Sequence, residues 1–368
     1  LVSPHSTLEE LYLAGALVRG LGSNNIDYRL RNAEFEAATG VRWLGRSIAS
    51  LSTLQSVLVV GSNLRKDHPL FAQRIRQAAR KGCTVTSVNA VVRDWAMPVA
   101  QTLVAAPGAW TQALADVAAA VAQEKGVQAP VASGQASNET ARAIAVALLT
   151  GEHKAVLLGN AAAHHAQASS LLALAQWIAE QTGASVGYLT EAANTVGAQW
   201  VKAVPGQGGL NAAEMLAGGL KGVILLNTEP VLDSAAGAKA AEALAQAEMV
   251  VTLSPFKTNL EFSDVLLPIA PFTETSGSFV NAEGRVQSFH AVVRPLGEAR
   301  PAWKVLRVLA NLLDLQGFDF ETSQDVLSKA TGVPAGQAQS VPAELLDNRT
   351  TVVPQVAASG AADPVVAS

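Results

Sequence analysis

Short apolar runs rich in β-branched residues, each followed by a polar loop and a helical pattern, restrict the fold of this chain most strongly. A continuous apolar run of about four to eight residues is typical of a strand that is buried on both faces. The clearest pair of runs, Val57–Val60 and Thr84–Val88, is joined by a predicted helix that begins near His68. Such strand–helix–strand units are parallel and right-handed in nearly all known cases. The sequence therefore predicts an α/β fold with mainly parallel sheets.

The same pattern recurs along most of the chain, which predicts two doubly wound, Rossmann-like lobes at residues 1–150 and 151–330. Residues 1–30 are a capped helix and a short link that either belong to the first lobe or pack on the second. Residues 331–368 are rich in Ala, Val and Pro, which predicts a low-complexity tail that is poorly ordered or bound by a partner. The further predicted strands are Thr102–Ala105, Ala155–Leu158, Val186–Leu189, Val223–Leu226, Val250–Leu253 and Val265–Ile269.

Composition excludes several classes of protein. Hydrophobic residues make up 49% of the 368 residues and charged residues only 15%, which supports a large core and excludes wholesale disorder. The formal net charge is -4 and no run of Lys and Arg stands out, so we expect no nucleic-acid partner. No apolar stretch approaches the roughly 20 residues that a membrane span requires. The chain begins at Leu1 rather than at methionine, which fits a fragment or a processed product equally well.

Residues that commonly carry chemistry are sparse. Cys83 is the single cysteine, whereas an iron–sulfur cluster needs four Cys ligands, or two Cys and two His. His164 and His165 are adjacent at a predicted helix start, where neighbouring side chains point apart, so we expect capping and solvent exposure there rather than metal binding. Gly206–Gly209 lacks the preceding strand that a dinucleotide-binding loop needs. We expect no catalytic residue and no metal site in this chain.

The stretch from Met249 to Trp303 is the most specific part of the sequence. Its alternating segment Phe279–Phe289, centred on Glu283 and Gly284, predicts a hairpin in which the glycine takes a positive φ angle. The run SPFKTNLEFSDVLLPIAPFTETSGSFVNAEGRVQSF resembles the molybdopterin oxidoreductase superfamily. Within that superfamily it is most similar to the family of large iron–sulfur subunits of the bacterial NADH-quinone oxidoreductases (respiratory complex I). The resemblance extends over roughly residues 1–330.

This resemblance implies a fold of the formate dehydrogenase/DMSO reductase type. It also implies membership of an assembly that transfers electrons from NADH to quinone and couples the transfer to proton translocation. In that family [2Fe-2S] and [4Fe-4S] clusters are held by an N-terminal part, which these residues do not include. The implied partners are the NADH/FMN-binding and iron–sulfur subunits of the peripheral arm. The implied location is the cytoplasmic face of the bacterial inner membrane, attached through the complex and without a membrane span of its own.

The resemblance also identifies a candidate pterin site. In molybdopterin enzymes a Gly-Ser-Asn loop after the first strand and a later Asp-Pro-Arg hold the pterin nucleotide. The chain keeps Gly61, Ser62 and Asn63 but has Val88-Asn89-Ala90 where the acid and the arginine would lie. Without the acid, a nucleotide loses its strongest hydrogen-bonding anchor. Gly61–Asn63 is therefore expected to be either a plain turn after a strand or a remnant of a nucleotide site.

A second candidate group lies in the polar loops after the Met249 strand. In family relatives the loop that carries Glu274, Glu283 and Arg285 approaches the metal–pterin group. The same residues could instead pair with each other and hold the loop. We expect a vestigial site without bound cofactor and a scaffold role for the chain. The alternatives are an active molybdopterin-dependent oxidoreductase subunit of the formate dehydrogenase type and a stand-alone nucleotide-binding α/β module.

Overall fold

The computed structural model describes residues 1–35, 38–334 and 336–356. All eight strands predicted from apolar runs are present, and their observed ends differ from the predicted ones by at most one residue. The strands are β1 (Ser56–Val60), β2 (Thr84–Asn89), β3 (Gln101–Val104), β4 (Lys154–Leu158), β5 (Ser185–Tyr188), β6 (Gly222–Leu226), β7 (Met249–Ser254), β8 (Val265–Pro268), β9 (Gly277–Val280) and β10 (Val286–Phe289). The helices are α1 (Leu8–Gly20), α2 (Leu64–Asp67), α3 (Pro69–Ala79), α4 (Trp110–Lys125), α5 (Glu139–Leu149), α6 (Asn160–Ala163), α7 (Ala168–Thr182), α8 (Thr195–Trp200), α9 (Ala212–Met215), α10 (Pro230–Asp233), α11 (Ala238–Ala245), α12 (Ala302–Leu312) and α13 (Ser323–Thr331).

The chain divides into two compact units, each built from two separate stretches of sequence. The five-stranded unit consists of Ala33–Glu191 and the described residues from Leu346 onward, and the three-stranded unit consists of Leu1–Asn32 and Ala192–Leu345. This division differs from the predicted boundary at residue 150. The reason is that β4, which follows that boundary, pairs in parallel with β1 and completes the first sheet. Strand runs alone do not reveal which sheet a strand joins.

The sheet of the five-stranded unit is parallel throughout, with strand order β3-β2-β1-β4-β5. All residues of β1 and β4 are buried, as expected for central strands that helices cover on both faces. The predicted α/β fold with a doubly wound parallel sheet is confirmed here.

One face of this sheet is covered by α4, α5 and α7. Their core is mainly Leu, Ile, Val and Ala, with Leu114, Ile144 and Leu171 fully buried against Leu58 and Val156 of the strands. Helix α4 is rich in alanine, and the small side chains let α5 and α7 both pack against it. The helix ends at Gly126, whose φ of 67° is the left-handed conformation that closes many helices.

In the three-stranded unit the parallel sheet has the order β6-β7-β8, and Val2 forms a further parallel bridge with Leu226. Strands β9 and β10 form a separate antiparallel hairpin, and Gly284 in its turn has a φ of 87°. The predicted hairpin and the predicted positive φ angle are both confirmed. Helix α1 packs against α12, α13 and β9, so the N-terminal residues are part of this unit's core.

The described part of the predicted tail forms specific contacts. Asn348 accepts a hydrogen bond from the Trp43 amide at 3.0 Å, and its side-chain nitrogen donates to the carbonyls of Trp43 and Val186. Val356 packs against the core of the five-stranded unit. The described part of the tail is thus held at Asn348 and Val356, and residues 357–368 lie outside the described residues. No helix among the described residues is long and apolar enough to cross a bilayer.

Candidate functional site

The loops after β1 and β4 form the candidate site of the five-stranded unit. The sheet order reverses between these two strands, and in open α/β sheets ligands bind at the carboxyl ends of the strands beside such a reversal. The loop after β1 is Gly61-Ser62-Asn63, the predicted pterin-site remnant. The loop after β4 begins at Gly159 and continues into α6.

Both backbone hydrogen-bonding groups of Gly61 are bonded within the protein. Its N–H donates to the Val88 carbonyl at 3.0 Å, and its carbonyl accepts the Ala161 N–H at 3.0 Å. Its φ of 61° is a conformation that favours glycine. A Cβ atom at this position would lie 2.7 Å from the Ala162 nitrogen and 2.8 Å from the Trp110 ring. Gly61 is therefore required for close packing between the two loops.

Gly159 shows the same close approach from the other loop. A Cβ atom there would lie 2.4 Å from the Ser62 Cβ and 2.6 Å from the Gly61 carbonyl oxygen. The Gly159 N–H donates to the Val60 carbonyl at 2.8 Å. The two loops are consequently in direct contact. The loop after β1 is hydrogen-bonded to α6 through Ala161, and the loop after β4 is hydrogen-bonded to β1 through Val60.

Asn63, the third residue of the predicted loop, donates its backbone N–H to the Asp67 carboxylate at 2.8 Å. Its side chain makes no capping hydrogen bond to α2. Loops of this type bind phosphate through free backbone N–H groups. Here a carboxylate holds one of these N–H groups, and its negative charge would repel a phosphate at the same place.

Buried polar atoms also lie in this region. Ser62 is only 2% exposed, and its hydroxyl oxygen has no hydrogen-bond partner within the described residues. The His68 ring, 5% exposed, contacts the Thr190 carbonyl through Nε2 at 3.2 Å. Burial lowers the pKa of His68, although the neighbouring Asp67 charge and nearby carbonyls oppose this effect. The region therefore favours a neutral imidazole and adds no positive charge for an anionic ligand.

Val88-Asn89-Ala90, which stand where the acid and the arginine were expected, lie at the end of β2, whose last residue is Asn89. Asn89 is 8% exposed, and its carbonyl accepts the Ala105 N–H at 3.0 Å. On the solvent side, Arg65 of α2 forms an ion pair with Asp94 at 2.8 Å. The cation nearest in sequence to the Gly-Ser-Asn loop is thus already paired with an anion.

The second candidate group, Glu274, Glu283 and Arg285, belongs to the three-stranded unit. Each of these residues forms a hydrogen bond or a β-bridge through its own backbone or to a neighbouring backbone group. The Glu274 carboxylate accepts the Leu296 N–H at 3.0 Å. The Arg285 side chain is exposed, while its backbone bridges to Ser340. Glu283 and Arg285 both donate their backbone N–H groups to the Asn281 side chain. The hairpin turn is therefore supported by Asn281, a residue that the sequence interpretation did not single out.

The sequence interpretation also missed two buried carboxylates at the start of α1. Glu9 is 0% exposed; its Oε2 accepts the Ser278 N–H at 2.9 Å, and its Oε1 has no partner among the described residues. Burial raises the pKa of Glu9 to about 7. Glu10 forms a capping box with Thr7, and burial raises the pKa of its carboxyl as well. The pattern Thr-Leu-Glu-Glu indicated the cap, but it gave no sign that both acids are buried.

The predicted exposure of the histidine pair is wrong. His165 is 0% exposed: its Nε2 contacts the Pro107 carbonyl at 2.9 Å and its Nδ1 accepts the Gln167 N–H. His164 is 2.7 Å from the Glu191 carboxylate.

Cys83 is buried, and burial raises the pKa of its thiol to about 11 although Arg46 opposes this. Within residues 1–35, 38–334 and 336–356, no group of three or more His, Cys, Asp and Glu could hold a metal ion.

Comparison with known proteins decides the family. The family profile for molybdopterin oxidoreductases matches residues 1–312 of this chain. The chain belongs to the molybdopterin oxidoreductase family. An NADH-quinone oxidoreductase subunit of Streptomyces coelicolor is 28% identical over 358 residues, which cover 84% of this chain and 42% of that protein.

Two further similarities agree with this assignment. A putative formate dehydrogenase of Staphylococcus aureus is 38% identical over 80 residues, covering 20% of this chain and 8% of that protein. Acetylene hydratase from Pelobacter acetylenicus superposes with a TM-score of 0.56 at 14% identity, covering 87% of this chain and 54% of that one, which supports the fold alone. The chain spans less than half the length of the sequence relatives at the head of the comparison, between 16% and 42% of them.

Membership of the molybdopterin oxidoreductase family allows a test of fit for the pterin nucleotide. The loop after β1 would have to present free N–H groups or cations to the phosphates. Instead, the Gly61 N–H is bonded to a carbonyl and the Asn63 N–H to a carboxylate. Two of the three backbone N–H groups of this loop are therefore not free for a phosphate, while the Ser62 hydroxyl has no partner among the described residues.

Proposed function

We propose that this chain is the molybdopterin-oxidoreductase-like portion of the large iron–sulfur subunit of a respiratory complex I. In this role it serves as a scaffold segment of the peripheral arm. The complete assembly would transfer electrons from NADH to quinone and couple this transfer to proton translocation. The segment itself would perform no chemistry. Its partners would be the NADH/FMN-binding and iron–sulfur subunits, at the cytoplasmic face of the bacterial inner membrane.

The observation that carries the proposal is that two of the three backbone N–H groups of the Gly61–Asn63 loop already donate within the protein. A phosphate group would have to displace Val88 from the Gly61 N–H and Asp67 from the Asn63 N–H. Displacing the buried Val88 carbonyl without a replacement donor costs about 1–3 kcal/mol. The similarity to the Streptomyces coelicolor NADH-quinone oxidoreductase subunit over 84% of the chain supports the choice of this assembly.

The cysteine content also supports a scaffold role for this chain and cluster binding by other residues. Cys83 is the single cysteine of the chain, so the iron–sulfur clusters of the assembly would be held by other residues. The buried thiol, with its raised pKa, also favours a packing role over a ligand role. Under the proposal the [2Fe-2S] and [4Fe-4S] clusters belong to the N-terminal part that is typical of these large iron–sulfur subunits.

A pair of loop variants tests the proposal in the organism that carries the chain. Asn63→Ala removes a side chain that makes no capping hydrogen bond to α2. Ser62→Ala removes a hydroxyl that has no hydrogen-bond partner among the described residues. Both should leave the NADH:quinone oxidoreductase activity of membranes unchanged. Gly61→Val is the matched folding control: its Cβ meets the Ala162 nitrogen, so it should abolish assembly of the complex. Loss of activity in the two alanine variants, with the complex still assembled, would contradict a scaffold role.

The second candidate function is an active molybdopterin-dependent subunit of the formate dehydrogenase type. The local similarity to a putative formate dehydrogenase, 38% identity over 80 residues, is the observation that favours it. This alternative requires formate-dependent reduction of a viologen dye by the purified full-length protein. It also requires that Asn63→Ala reduces this activity together with the molybdenum content.

A further inference from the structure

A pair of hydrogen-bonded segments that follows β8 in the three-stranded unit, residues 272–276 and 291–296, carries four exposed apolar residues. We name it the 272–296 patch. Its members are Phe272, Val292, Val293 and Leu296, which are 70%, 80%, 57% and 82% exposed. Single exposed apolar residues are common in soluble proteins, but large side chains gathered on one surface usually mark an interaction site.

Backbone hydrogen bonds hold the two segments of the patch together. The N–H groups of Val292 and Val293 both donate to the Thr273 carbonyl, at 2.9 and 3.3 Å. The Leu296 N–H donates to the Glu274 carboxylate, and the Ala291 N–H donates to the Ser276 hydroxyl. The patch is consequently fixed before any partner arrives, which lowers the entropy that binding would cost.

Arg300, which follows the second segment, pairs with the chain at the end of β8. Arg300 forms a parallel bridge with Ile269, and the Ala270 N–H donates to the Arg300 carbonyl at 2.9 Å. This pairing fixes only the Arg300 end of residues 291–300. It does not explain why the outward side chains of the same segment are apolar.

The charge on the patch indicates the chemistry of the partner. Arg294 lies in sequence between Val293 and Leu296, is exposed, and forms no ion pair within the described residues. Among the described residues, Arg300 forms one ion pair, with Glu298 at 3.9 Å, and both side chains are largely exposed. A complementary surface would therefore combine apolar side chains with a carboxylate opposite Arg294.

A second copy of the chain fits this surface poorly. In a two-fold symmetric dimer the same patch of each copy would contact the other. The two Arg294 side chains would then lie close together in one apolar interface. Like charges at such a contact are repulsive. A different protein with a carboxylate at this place avoids the repulsion.

We propose that the 272–296 patch is the docking surface for another peripheral-arm subunit, whose contact face is apolar and carries a carboxylate opposite Arg294. This inference rests on the proposed scaffold function and assigns one face to it. A stable interface buries about 800 Å² per partner, so the patch would form its apolar centre and the surrounding polar residues its rim.

The test compares patch variants with matched variants elsewhere on the chain. Val292→Asp adds a carboxylate to the apolar centre, and Arg294→Glu reverses the charge that faces the partner. Leu70→Asp and Arg74→Glu make the same changes on exposed positions of α3, in the other unit. Each variant replaces the chromosomal copy, the complex is purified through a tag on the NADH/FMN-binding subunit, and the recovered chain is quantified. Thermal unfolding of each purified variant checks that folding is retained.

We expect each patch variant to lower recovery of the chain at least tenfold, and the two α3 variants to match the unaltered chain. Equal recovery of all variants would overturn the docking surface while leaving the proposed function intact. Failure to recover the unaltered chain with the complex would contradict the proposed function itself. Concentration-dependent self-association of the purified chain that Val292→Asp abolishes would show that a second copy occupies the patch, which also overturns the inference.

Discussion

Replacing Glu9 by glutamine should stabilise the three-stranded unit at alkaline pH. The Glu9 side chain is fully buried at the start of α1, where its Oε2 accepts the Ser278 N–H at 2.9 Å. Glutamine keeps an oxygen for this hydrogen bond and has almost the same volume. What it removes is a negative charge that the protein must bury above neutral pH. The neighbouring Glu10 charge adds to this penalty.

The size and sign of the effect follow from the pKa. Burial raises the pKa of Glu9 from 4.5 to about 7. Between these two values the folded chain binds more protons than the unfolded chain, so its stability falls as the pH rises. A difference of about 2.5 pKa units corresponds to roughly 3 kcal/mol, at about 1.4 kcal/mol for each unit. The contribution of Glu9 is fully present below pH 4.5 and is lost by about pH 7.

Urea unfolding at pH 5 and pH 8 measures the effect. Pulsed hydrogen exchange, read by mass spectrometry on peptides that cover α1 and β9, reports the three-stranded unit separately. Glu9→Gln should raise the free energy of unfolding by up to about 3 kcal/mol at pH 8 and change it little at pH 5. The control Glu242→Gln, an exposed carboxylate on α11, should show no such difference between the two pH values. An equal effect of Glu9→Gln at both pH values, or destabilisation at pH 8, would refute the reasoning.

Three further predictions concern packing. Gly159→Ala should destabilise the five-stranded unit by about 1–3 kcal/mol in urea unfolding, because its Cβ overlaps the neighbouring loop, whereas Gly222→Ala has open space and should have a much smaller effect. Asn348→Ala removes three side-chain hydrogen bonds to the backbone and should accelerate hydrogen exchange of residues 341–356; unchanged exchange would contradict the anchoring role. Cys83, with a thiol pKa of about 11, should resist iodoacetamide at pH 7.5 until urea unfolds the chain, and rapid labelling of the native protein would be contrary to this.

Local structure could be predicted from the sequence because the signals for it are local. The apolar run Val57–Val60 and the glycine of the Glu283-Gly284 turn each determine the conformation of a few consecutive residues. Sheet membership could not be predicted in this way. Whether the strand after residue 150 joins the first or the second sheet depends on its pairing with β1, almost one hundred residues earlier.

The candidate site was predicted only in part for the same reason. The Gly-Ser-Asn loop and the absence of an acid and an arginine from Val88-Asn89-Ala90 are visible in the sequence. The hydrogen bonds that occupy the loop come from Val88 and Ala161, which are distant along the chain. Asp67 is four residues from Asn63, so its bond to the Asn63 N–H is the one contact that a local pattern could have indicated. The burial of Glu9 depends on β9, which is far away in sequence, and no local pattern reports it.

We propose that this chain of the molybdopterin oxidoreductase family does not bind the cofactor. Elemental analysis for molybdenum and tungsten, combined with extraction and fluorescence detection of oxidised pterin, tests it most directly on the assembled complex purified from the organism that carries the chain. We expect only trace amounts of molybdenum and tungsten, and no pterin. Stoichiometric molybdenum or tungsten, accompanied by a pterin nucleotide that is lost in Asn63→Ala, would contradict it.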